Sequence, residues 1–331
     1  MLFSFIIPVY NRPEEIEELL QSMTQFNFEA PFEVVIVEDG SSMPCEHIVE
    51  KYKNTLQISY YFKPNSGPGN SRNFGMQKAK GNYFIILDSD CILPKEYLTV
   101  VSQSLQNHYV DCFGGPDKAL PTFSNIQKSI NFSMTSFLTT GGIRGGSEKV
   151  DKFQPRSFNM GLSKNAFEIS KGFGNIHPGE DPDLSIRLWE LGLQTKLIKE
   201  AYVYHKRRID WNKFYIQVNK FGKARPILNF WYPKYTKLTF WFPSFFLLGF
   251  ILSLILIVFS LPILFYLYLA YFGMIFVSSL VQNKSVTIAV YSIIATAIQF
   301  YGYGIGYLKS FTNVFFLKKK PQEAHPELFF K

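Results

Sequence analysis

Short apolar runs alternate with amphipathic stretches through the first half of the chain. Four apolar runs have the length of buried strands, and they lie at Leu2–Val9, Phe32–Val37, Gln57–Phe62 and Phe84–Leu87. Stretches with apolar residues at helical spacing follow them, and these predict helices opening at Pro13, running from Asn70 to Lys80, and opening at Pro94. Strands that alternate with helices predict an α/β fold built on a mostly parallel sheet with helices on both faces.

The pattern is less regular between residues 110 and 205. Strands are predicted at Val110–Gly114, Ser157–Leu162, Gln194–Ile198 and Ala201–Tyr204, with a short helix at Lys164–Ser170. A further helix is predicted after the polar run Gly179–Asp183. The segment Thr139–Gly146 is too rich in glycine for either element, and we expect a mobile loop there.

Two long stretches of the second half carry no charged residue, and they are Leu238–Asn283 and Ser285–Leu308. A helix that crosses a bilayer needs about 20 apolar residues. The first stretch is long enough for two spans with a hinge at Pro262, so two to three transmembrane helices are predicted within residues 238–308. Leu2–Val9 has no basic region before it, so we interpret it as a first strand and not as a signal peptide.

The segment between the two halves, residues 206–237, is strongly basic. It contains nine Lys or Arg residues and one acidic residue, Asp210, interleaved with aromatic residues, in a chain of 331 residues with a net charge of +8. A nucleic-acid surface can have this composition. Because the segment adjoins an uncharged run, we favour an interfacial helix on an anionic membrane leaflet and expect no nucleic-acid partner.

The expected location is the cell inner (plasma) membrane, which the chain would cross more than once, with the soluble half in the cytoplasm. Basic residues favour the cytoplasmic side, and three scattered cysteines fit a reducing compartment. Three spans would place the basic tail, residues 309–331, on the opposite side. Either the tail is an exception to the rule, or one apolar segment does not cross the membrane.

Two carboxylates, Asp88 and Asp90, directly follow the fourth apolar run. At the carboxyl end of a parallel strand they lie where open α/β sheets bind ligands. Two such carboxylates repel each other unless a cation holds them, and Mg²⁺ or Mn²⁺ bridging to phosphate oxygens is the expected ion. The alternative is a turn capped by Asp and Ser.

Five motifs occur in an order that resembles family 2 glycosyltransferases with the GT-A fold. They are Pro8-Val9-Tyr10-Asn11-Arg12, Glu38-Asp39-Gly40-Ser41, the loop and helix Asn65–Gly75, Leu87-Asp88-Ser89-Asp90, and Gly179-Glu180-Asp181-Pro182-Asp183-Leu184. The resemblance covers residues 1–225, and the tail is similar to that of exopolysaccharide enzymes of the succinoglycan type. It implies a GT-A catalytic domain (nucleotide-diphospho-sugar transferase, Rossmann-like) at 1–205, followed by the interfacial segment at 206–237, the spans and the tail.

The resemblance implies a nucleotide-sugar donor and assigns residues to it. Asp39 would accept from the base, Arg72 would lie near the base or diphosphate, and Asp88 would contact the ribose or support the metal. Asp90 would be the direct metal ligand, with His205 as a further one. Other donor contacts are expected from Pro8, Tyr10, Asn11, Asn65, Gly67 and Asn73. A tight turn at Asp39, a surface cation at Arg72 and a structural His205 remain as alternatives.

The resemblance also implies an acceptor site around Glu180 and Asp181. Asp181 would be the base that takes the proton of the acceptor hydroxyl, and Glu180 would orient the acceptor. Asp181 precedes Pro182, so it also suits a helix cap. One base without a second carboxylate nucleophile favours a single displacement with inversion. The Thr139–Gly146 loop is expected to close over the donor.

The expected acceptor is a lipid-linked saccharide of cell-surface polysaccharide synthesis. A polyprenyl-phosphate glycosyltransferase would use the same donor motifs, and a non-catalytic membrane subunit that binds nucleotide-sugar is a further alternative. Lys220 and Phe221 stand where the Gln-x-x-Arg-Trp motif of processive synthases has Arg and Trp, which argues against processive polymerisation. Lys220, Lys223 and Arg225 are expected to contact lipid phosphate or the membrane surface.

Overall fold

The computed structural model describes residues 1–120, 122–141, 153–206 and 210–330. Its strands are β1 (Phe3–Val9), β2 (Phe32–Asp39), β3 (Ile58–Lys63), β4 (Tyr83–Leu87), β5 (Cys91–Ile92), β6 (Cys112–Gly114), β7 (Asp117–Lys118), β8 (Asn159–Ser163), β9 (Thr195–Leu197) and β10 (Val203–His205). The helices before residue 200 are α1 (Pro13–Met23), α2 (Glu46–Tyr52), α3 (Pro68–Lys78), α4 (Tyr97–Asn107), α5 (Asn125–Thr135), α6 (Phe137–Thr140), α7 (Lys164–Ser170) and α8 (Glu180–Glu190).

The remaining helices are α9 (Trp211–Trp231), α10 (Phe242–Val258), α11 (Ile263–Asn283), α12 (Val286–Phe311) and α13 (Pro321–Ala324). The chain divides into two compact units. The first holds Met1–Lys118, Gly146–Lys206 and Phe329–Lys331, and the second holds Ala119–Gly145 and Arg207–Leu328. The helix α5 precedes residue 205 in the chain but belongs to the second unit, because it packs among the helices of that unit.

A seven-stranded sheet in the order β3-β2-β1-β4-β8-β6-β9 forms the centre of the first unit. Four of its strand pairs are parallel, and β8 runs antiparallel to both β4 and β6. A mostly parallel sheet agrees with the sequence prediction. The direction of β8 was not predictable, because a short buried strand has the same apolar composition in either direction.

Apolar side chains cover both faces of the central strands, as their uninterrupted apolar runs predict. On one face, α1 buries Ile16, Leu19, Leu20 and Met23. On the other face, α3 lies so close that a Cβ added to Gly75 would be 2.7 Å from Cγ2 of Ile6. Glycine at this position thus allows the helix to approach the sheet, and this fixes the position of α3 above the ends of β1 and β2.

Three segments of the second unit are long and apolar enough to cross a membrane: Leu238–Val258, Ile263–Asn283 and Val286–Phe316. Their mean hydropathies are 2.4, 1.9 and 1.4. The break between α10 and α11 contains Pro262, as predicted for the hinge. The count of apolar helices in the described chain is therefore the upper of the two predicted values.

Small residues let α12 pack tightly against α9. A Cβ added to Gly222 would lie 2.2 Å from the carbonyl oxygen of Tyr303, and one added to Gly306 would lie 2.3 Å from that of Asn219. The unpredicted helix α5 joins this pair, since Ile130 packs in the same buried cluster as residues of α9 and α12. Ser124 and Gln127 form a capping box that starts α5.

Charged residues of α9 have partners within the second unit. The ammonium group of Lys223 lies 2.8 Å from Oε1 of Glu327, and the guanidinium group of Arg225 lies 4.1 Å from the ring centre of Phe240. The expectation that Lys220, Lys223 and Arg225 contact lipid phosphate or the membrane surface stays a prediction. The tail contains the short helix α13 and a buried His325.

The predicted mobile loop lies mostly outside the described residues. Of Thr139–Gly146, the structure places Thr139 and Thr140 at the end of α6, and it places Gly141 in the left-handed conformation that ends that helix. Residues 142–146 are not among the described ones, so the expected closure over a donor stays a prediction.

Candidate active site

The carboxylate of Asp39, at the end of β2, is held by the loop that precedes α3. Its Oδ1 accepts from the backbone N–H of Ser66 at 2.9 Å and from the ammonium group of Lys63, and its Oδ2 accepts from the N–H of Gly67 at 2.9 Å. A carboxylate has about four acceptor positions. One position on Oδ2 is therefore left for a further donor, which is the number that a single base N–H requires.

Two asparagines predicted to contact the donor, Asn11 and Asn65, hold the backbone beside Asp39. The side-chain oxygen of Asn11 accepts from the N–H groups of Ser42 and Met43 at 2.8 and 3.0 Å. Asn65 donates from its amide to the carbonyl oxygen of Asp39 at 2.8 Å.

Asn73 pairs with the backbone of Phe173 through both ends of its amide, at 2.8 and 2.9 Å. Its amide is thus committed to protein partners. The three asparagines position the rim of the predicted donor site.

The buried guanidinium of Arg72, on α3, connects the two groups of predicted carboxylates. Nη2 donates to Oδ1 of Asp88 at 2.7 Å, and Nη1 donates to Oε1 of Glu180 at 3.2 Å. Burial lowers the pKa of Arg72, but the negative charges of Asp88 and then Glu180 raise it by more. The pKa is therefore raised overall, and the guanidinium remains charged. The alternative of a surface cation is wrong, since the residue is buried. Arg72 brings the donor motif and the acceptor-side motif to one place.

Glu180 and Asp181 begin α8, and their pKa values are shifted in opposite directions. Burial raises the pKa of Glu180, yet the charge and hydrogen bond of His177, with the charge of Arg72, lower it to about 2. Burial and then the charge of Glu180 raise the pKa of Asp181 to about 6. Glu180 is therefore a fixed anion, whereas Asp181 titrates close to neutral pH, as a general base requires.

The partners of Glu180 differ from the expectation that it orients an acceptor. Its side chain is 4% exposed, and Nδ1 of His177 lies 2.8 Å from its Oε1. The carboxylate thus faces the protein and holds Arg72 and His177. The predicted helix cap at Asp181 is also absent, since the residue at the N-cap of α8 is Gly179 and Asp181 lies within the first turn.

Asp90 and His205 meet because β5 pairs with β10. Cys91 is opposite His205 in this antiparallel pair, and Nε2 of His205 lies 3.0 Å from Oδ1 of Asp90. On its other side, Nδ1 of His205 lies 4.0 Å from Oδ2 of Asp117, and its ring stacks on Phe158 at 4.8 Å. The carboxylate of Asp90 and the imidazole of His205, both predicted as metal ligands, thus lie next to each other.

This set of donor atoms fits a divalent cation. A carboxylate and a neutral imidazole, with a second carboxylate behind the imidazole, suit Mn²⁺ well and Mg²⁺ through oxygen ligands. Cys91 is the third residue of the cluster. Burial raises the pKa of its thiol well above the ordinary value, so it stays protonated and is unsuited to ligating such an ion. Asp88 faces Arg72 instead.

The remaining predicted residues line the same edge of the sheet. Pro8 lies in β1, and Tyr10, just after it, is 53% exposed. Gly67 has φ of +88°, a conformation that favours glycine. Sequence reasoning did not identify His177, Asp117 or Lys63 as site residues. His177 lies three residues before Glu180, and this spacing was the available signal.

Comparison with known families identifies two matching regions. The model of the family described as glycosyl transferase family 2 matches residues 4–169, and that of glycosyl transferase family group 2 matches residues 154–278. The first match covers half of the chain, and together the two reach from β1 into the apolar helices.

Several characterised proteins are similar to part of the chain. The poly(ribitol-phosphate) beta-N-acetylglucosaminyltransferase TarS of Staphylococcus aureus is 38% identical over 114 residues, which is 34% of this chain and 20% of TarS. The abequosyltransferase RfbV of Salmonella typhimurium is 34% identical over 111 residues, 32% of this chain and 33% of RfbV. The chain thus spans a fifth to a third of the length of these relatives.

Solved structures show the same fold. TarS residues 1–349 align over 96% of this chain and 92% of that one, with a TM-score of 0.51 at 20% identity. The mannosyltransferase PcManGT of Pyrobaculum calidifontis, solved with GDP-Man and Mn²⁺, aligns over 90% of this chain and 86% of that one, with a TM-score of 0.56 at 13% identity. The predicted GT-A fold followed by apolar helices is therefore confirmed.

Proposed function

The chain belongs to glycosyl transferase family 2 and is a transferase, and we propose that it moves a sugar, with inversion, from a nucleotide-sugar to a lipid-linked saccharide at the cytoplasmic face of a membrane. The observation that carries the proposal is the bridge that Arg72 makes between Asp88 and Glu180. This bridge joins the donor motif to the residue beside the proposed base. The products are the elongated saccharide and a nucleoside diphosphate.

The donor is bound by the loops at the carboxyl ends of β1, β2 and β4. Asp39 accepts from the N–H of the base with its remaining acceptor position. Tyr10, which lies between Pro8 and Asn11 in the opening motif, offers an exposed aromatic ring. The fixed guanidinium of Arg72 adds positive charge where the diphosphate is expected. The N–H groups of Ser66 and Gly67 hold the carboxylate of Asp39 in place for its contact with the base.

Asp90 and His205 would hold the divalent cation, with Asp88 nearby as a supporting or ribose contact. When bound, the ion supplies positive charge that stabilises the leaving diphosphate. Asp117, whose Oδ2 lies 4.0 Å from Nδ1 of His205, would help to hold the ring with Nε2 on the side of Asp90. Arg12, with Nη1 3.5 Å from Oδ2 of Asp90, adds a second cation at the same edge.

Asp181 is the proposed base. The acceptor hydroxyl attacks the anomeric carbon, the bond from that carbon to the diphosphate oxygen breaks, and the hydroxyl proton passes to the carboxylate of Asp181. A pKa of about 6 leaves this carboxylate mostly ionised at neutral pH yet basic enough to take a proton. One displacement by one nucleophile inverts the anomeric configuration.

The apolar segments support a membrane location for the acceptor. Three helices of sufficient length and apolar character follow the catalytic unit in sequence, and lipid-linked saccharides are held at bilayers by their lipid. The names of the relatives add support, since TarS is named for the transfer of N-acetylglucosamine to poly(ribitol-phosphate), and RfbV is named for the transfer of an abequosyl group.

Sugar transfer by membranes that carry the protein tests this proposal. A panel of labelled nucleotide-sugars would be incubated with extracted lipid-linked acceptors, with and without Mn²⁺ or Mg²⁺. We expect cation-dependent label on a lipid-linked saccharide, lost by roughly a hundredfold or more in Asp181→Asn. Glu190→Gln, an exposed carboxylate at the other end of α8, is the matched control.

The other outcomes of the same assay separate the rival functions. Label on a bare lipid phosphate would show that the acceptor is a polyprenyl phosphate and not a saccharide. Nucleotide binding without transfer to any acceptor would favour a non-catalytic subunit. Product that retains the donor's anomeric configuration would contradict the single displacement.

A further inference from the structure

The chain returns to the first unit after its apolar helices, and it does so through Phe329 and Phe330. Phe329 forms an antiparallel bridge with Ile176, and the N–H of Phe330 donates to the carbonyl oxygen of Asn175 at 3.3 Å. Backbone pairing therefore fixes this returning segment, Phe329–Phe330, against the residues that lead into α8.

The ring of Phe330 lies directly on Gly67. A Cβ added to Gly67 would be 2.3 Å from Cδ2 and 2.4 Å from Cγ of the ring, so only glycine leaves room for it. The N–H of the same Gly67 donates to Asp39. The ring consequently packs on the peptide group that holds the proposed base-binding carboxylate.

The same ring also borders the acceptor-side motif. Its centre lies 5.8 Å from that of His177, with the ring planes at 48°, and His177 holds Glu180 beside Asp181. Phe330 is partly exposed. A large apolar ring that is fixed on two sides by site residues, and open on another, presents a surface suited to a planar or apolar part of a ligand.

We propose that Phe330 forms a wall of the donor pocket and contacts the nucleoside part of the nucleotide-sugar. This inference rests on the proposed function, because it assumes a nucleotide beside Asp39. Aromatic rings bind nucleobases by stacking with little dependence on the base. The contact would therefore add affinity for every nucleoside diphosphate, while Asp39 reads the N–H of the base.

Binding of nucleoside diphosphates to the full detergent-solubilised chain tests the proposal. UDP, GDP, CDP and ADP would each be titrated by calorimetry in the presence of Mn²⁺. For the diphosphate that binds the unchanged protein, we expect Kd to rise by about tenfold or more in Phe330→Ala, in line with loss of one aromatic stack. Phe330→Trp should keep the affinity. Phe62→Ala, which removes an exposed ring of β3 in the same unit, should not change it.

Two further measurements keep the test valid if Phe330→Ala does not fold. Melting temperatures without nucleotide show whether Phe330→Ala is folded, and if it is not, Phe330→Trp carries the test through quenching of the introduced indole by bound nucleotide. Unchanged Kd in Phe330→Ala, or absence of that quenching, would overturn the proposal. Tighter binding in Phe330→Ala would also overturn it, because the ring would then be an obstacle to the nucleotide.

Failure of the proposed function gives a different result. If the unchanged protein binds none of the four diphosphates, the donor assignment itself fails. If it binds one of them equally well with and without the ring of Phe330, the donor assignment stands and only the role of Phe330 fails.

Discussion

Glu180 and Asp181 are adjacent in the first turn of α8, but their carboxylates have different surroundings. Glu180 accepts from Arg72 and lies 2.8 Å from Nδ1 of His177, whereas Oδ1 of Asp181 is buried with no hydrogen-bond partner among the described residues. One carboxylate is thus stabilised as an anion, and the other is held in a state that readily accepts a proton. Neighbouring carboxylates with separated pKa values are the arrangement that acid–base chemistry uses.

The first prediction concerns the pH dependence of transfer. Because the base must be ionised and its pKa is about 6, the rate should fall as the pH drops below about 6. Glu180→Gln removes the negative charge that raises this pKa, so the acidic limb should move to lower pH. Initial rates between pH 4.5 and 8 in both proteins measure the shift. An unchanged limb would exclude Asp181 as the titrating group.

The second prediction concerns stability. The pKa of Asp181 is raised in the folded chain from an ordinary value of 3.8 to about 6, so the stability that its proton contributes is complete below the unfolded pKa and is lost as the pH rises through 6. Asp181→Asn should therefore be more stable than the unchanged protein at pH 7.5, by up to about 3 kcal/mol. The difference should vanish near pH 3.5. Thermal unfolding at both pH values measures it.

The third prediction concerns the metal site. Asp117→Asn leaves Asp90 and His205 in place but replaces the carboxylate beside the imidazole by a neutral amide. The affinity for Mn²⁺ should therefore fall by about 10–100-fold. His205→Ala should have at least that effect. Titration of Mn²⁺ by electron paramagnetic resonance measures the affinity without any turnover. Equal affinity in Asp117→Asn would mean that Asp117 does not act through His205.

The fourth prediction concerns Arg72. Arg72→Met leaves Glu180 and Asp88 without their shared cation, and breaking a buried ion pair in this way costs about 3–5 kcal/mol. Arg72→Lys should rescue little, because one ammonium group lacks the planar fork that reaches both carboxylates. The melting temperature is the measurement. Lys51→Met, which breaks the exposed pair with Glu17, is the control and should leave it unchanged.

The fifth prediction concerns the packing of α9 on α12. Gly222→Ala places a methyl group 2.2 Å from the carbonyl oxygen of Tyr303, and overpacking of this kind costs about 1–3 kcal/mol. Gly273→Ala is the matched control, since a Cβ there has open space around it. Thermal unfolding in detergent compares the two. Equal melting temperatures would show that the helix pair adjusts to the added methyl group without loss.

The sequence predicts much of the fold because its signals are local. Apolar runs that end in Asp39 or Asp88 mark strands and place polar groups at one edge of the sheet, and uncharged runs mark the apolar helices. Residues such as His177 and Phe330 were not predicted. Their roles depend on partners far along the chain, such as Gly67, and a single sequence contains no local pattern for such contacts.

Helix α5 and strands β5 and β7 were missed for other reasons. The helix α5 has a polar composition, with Asn125, Gln127 and Lys128 in its first turns, and only tertiary packing discloses its buried face. The short strands β5 and β7 have two residues each, too few for any periodicity. Yet β5 sets the position of Asp90 beside His205, so a small element determines the geometry of the site.

The position of α5 affects how the enzyme can be produced. A recombinant fragment that stops after residue 205 would retain α5 but lose α9 and α12. Ile130 and Met134 would then form an exposed apolar surface that promotes aggregation. The same cut would remove Phe330 from Gly67. Biochemists who want a soluble catalytic half should therefore expect aggregation and weak nucleotide affinity from simple truncation, and the intact polypeptide in detergent or nanodiscs is the better reagent.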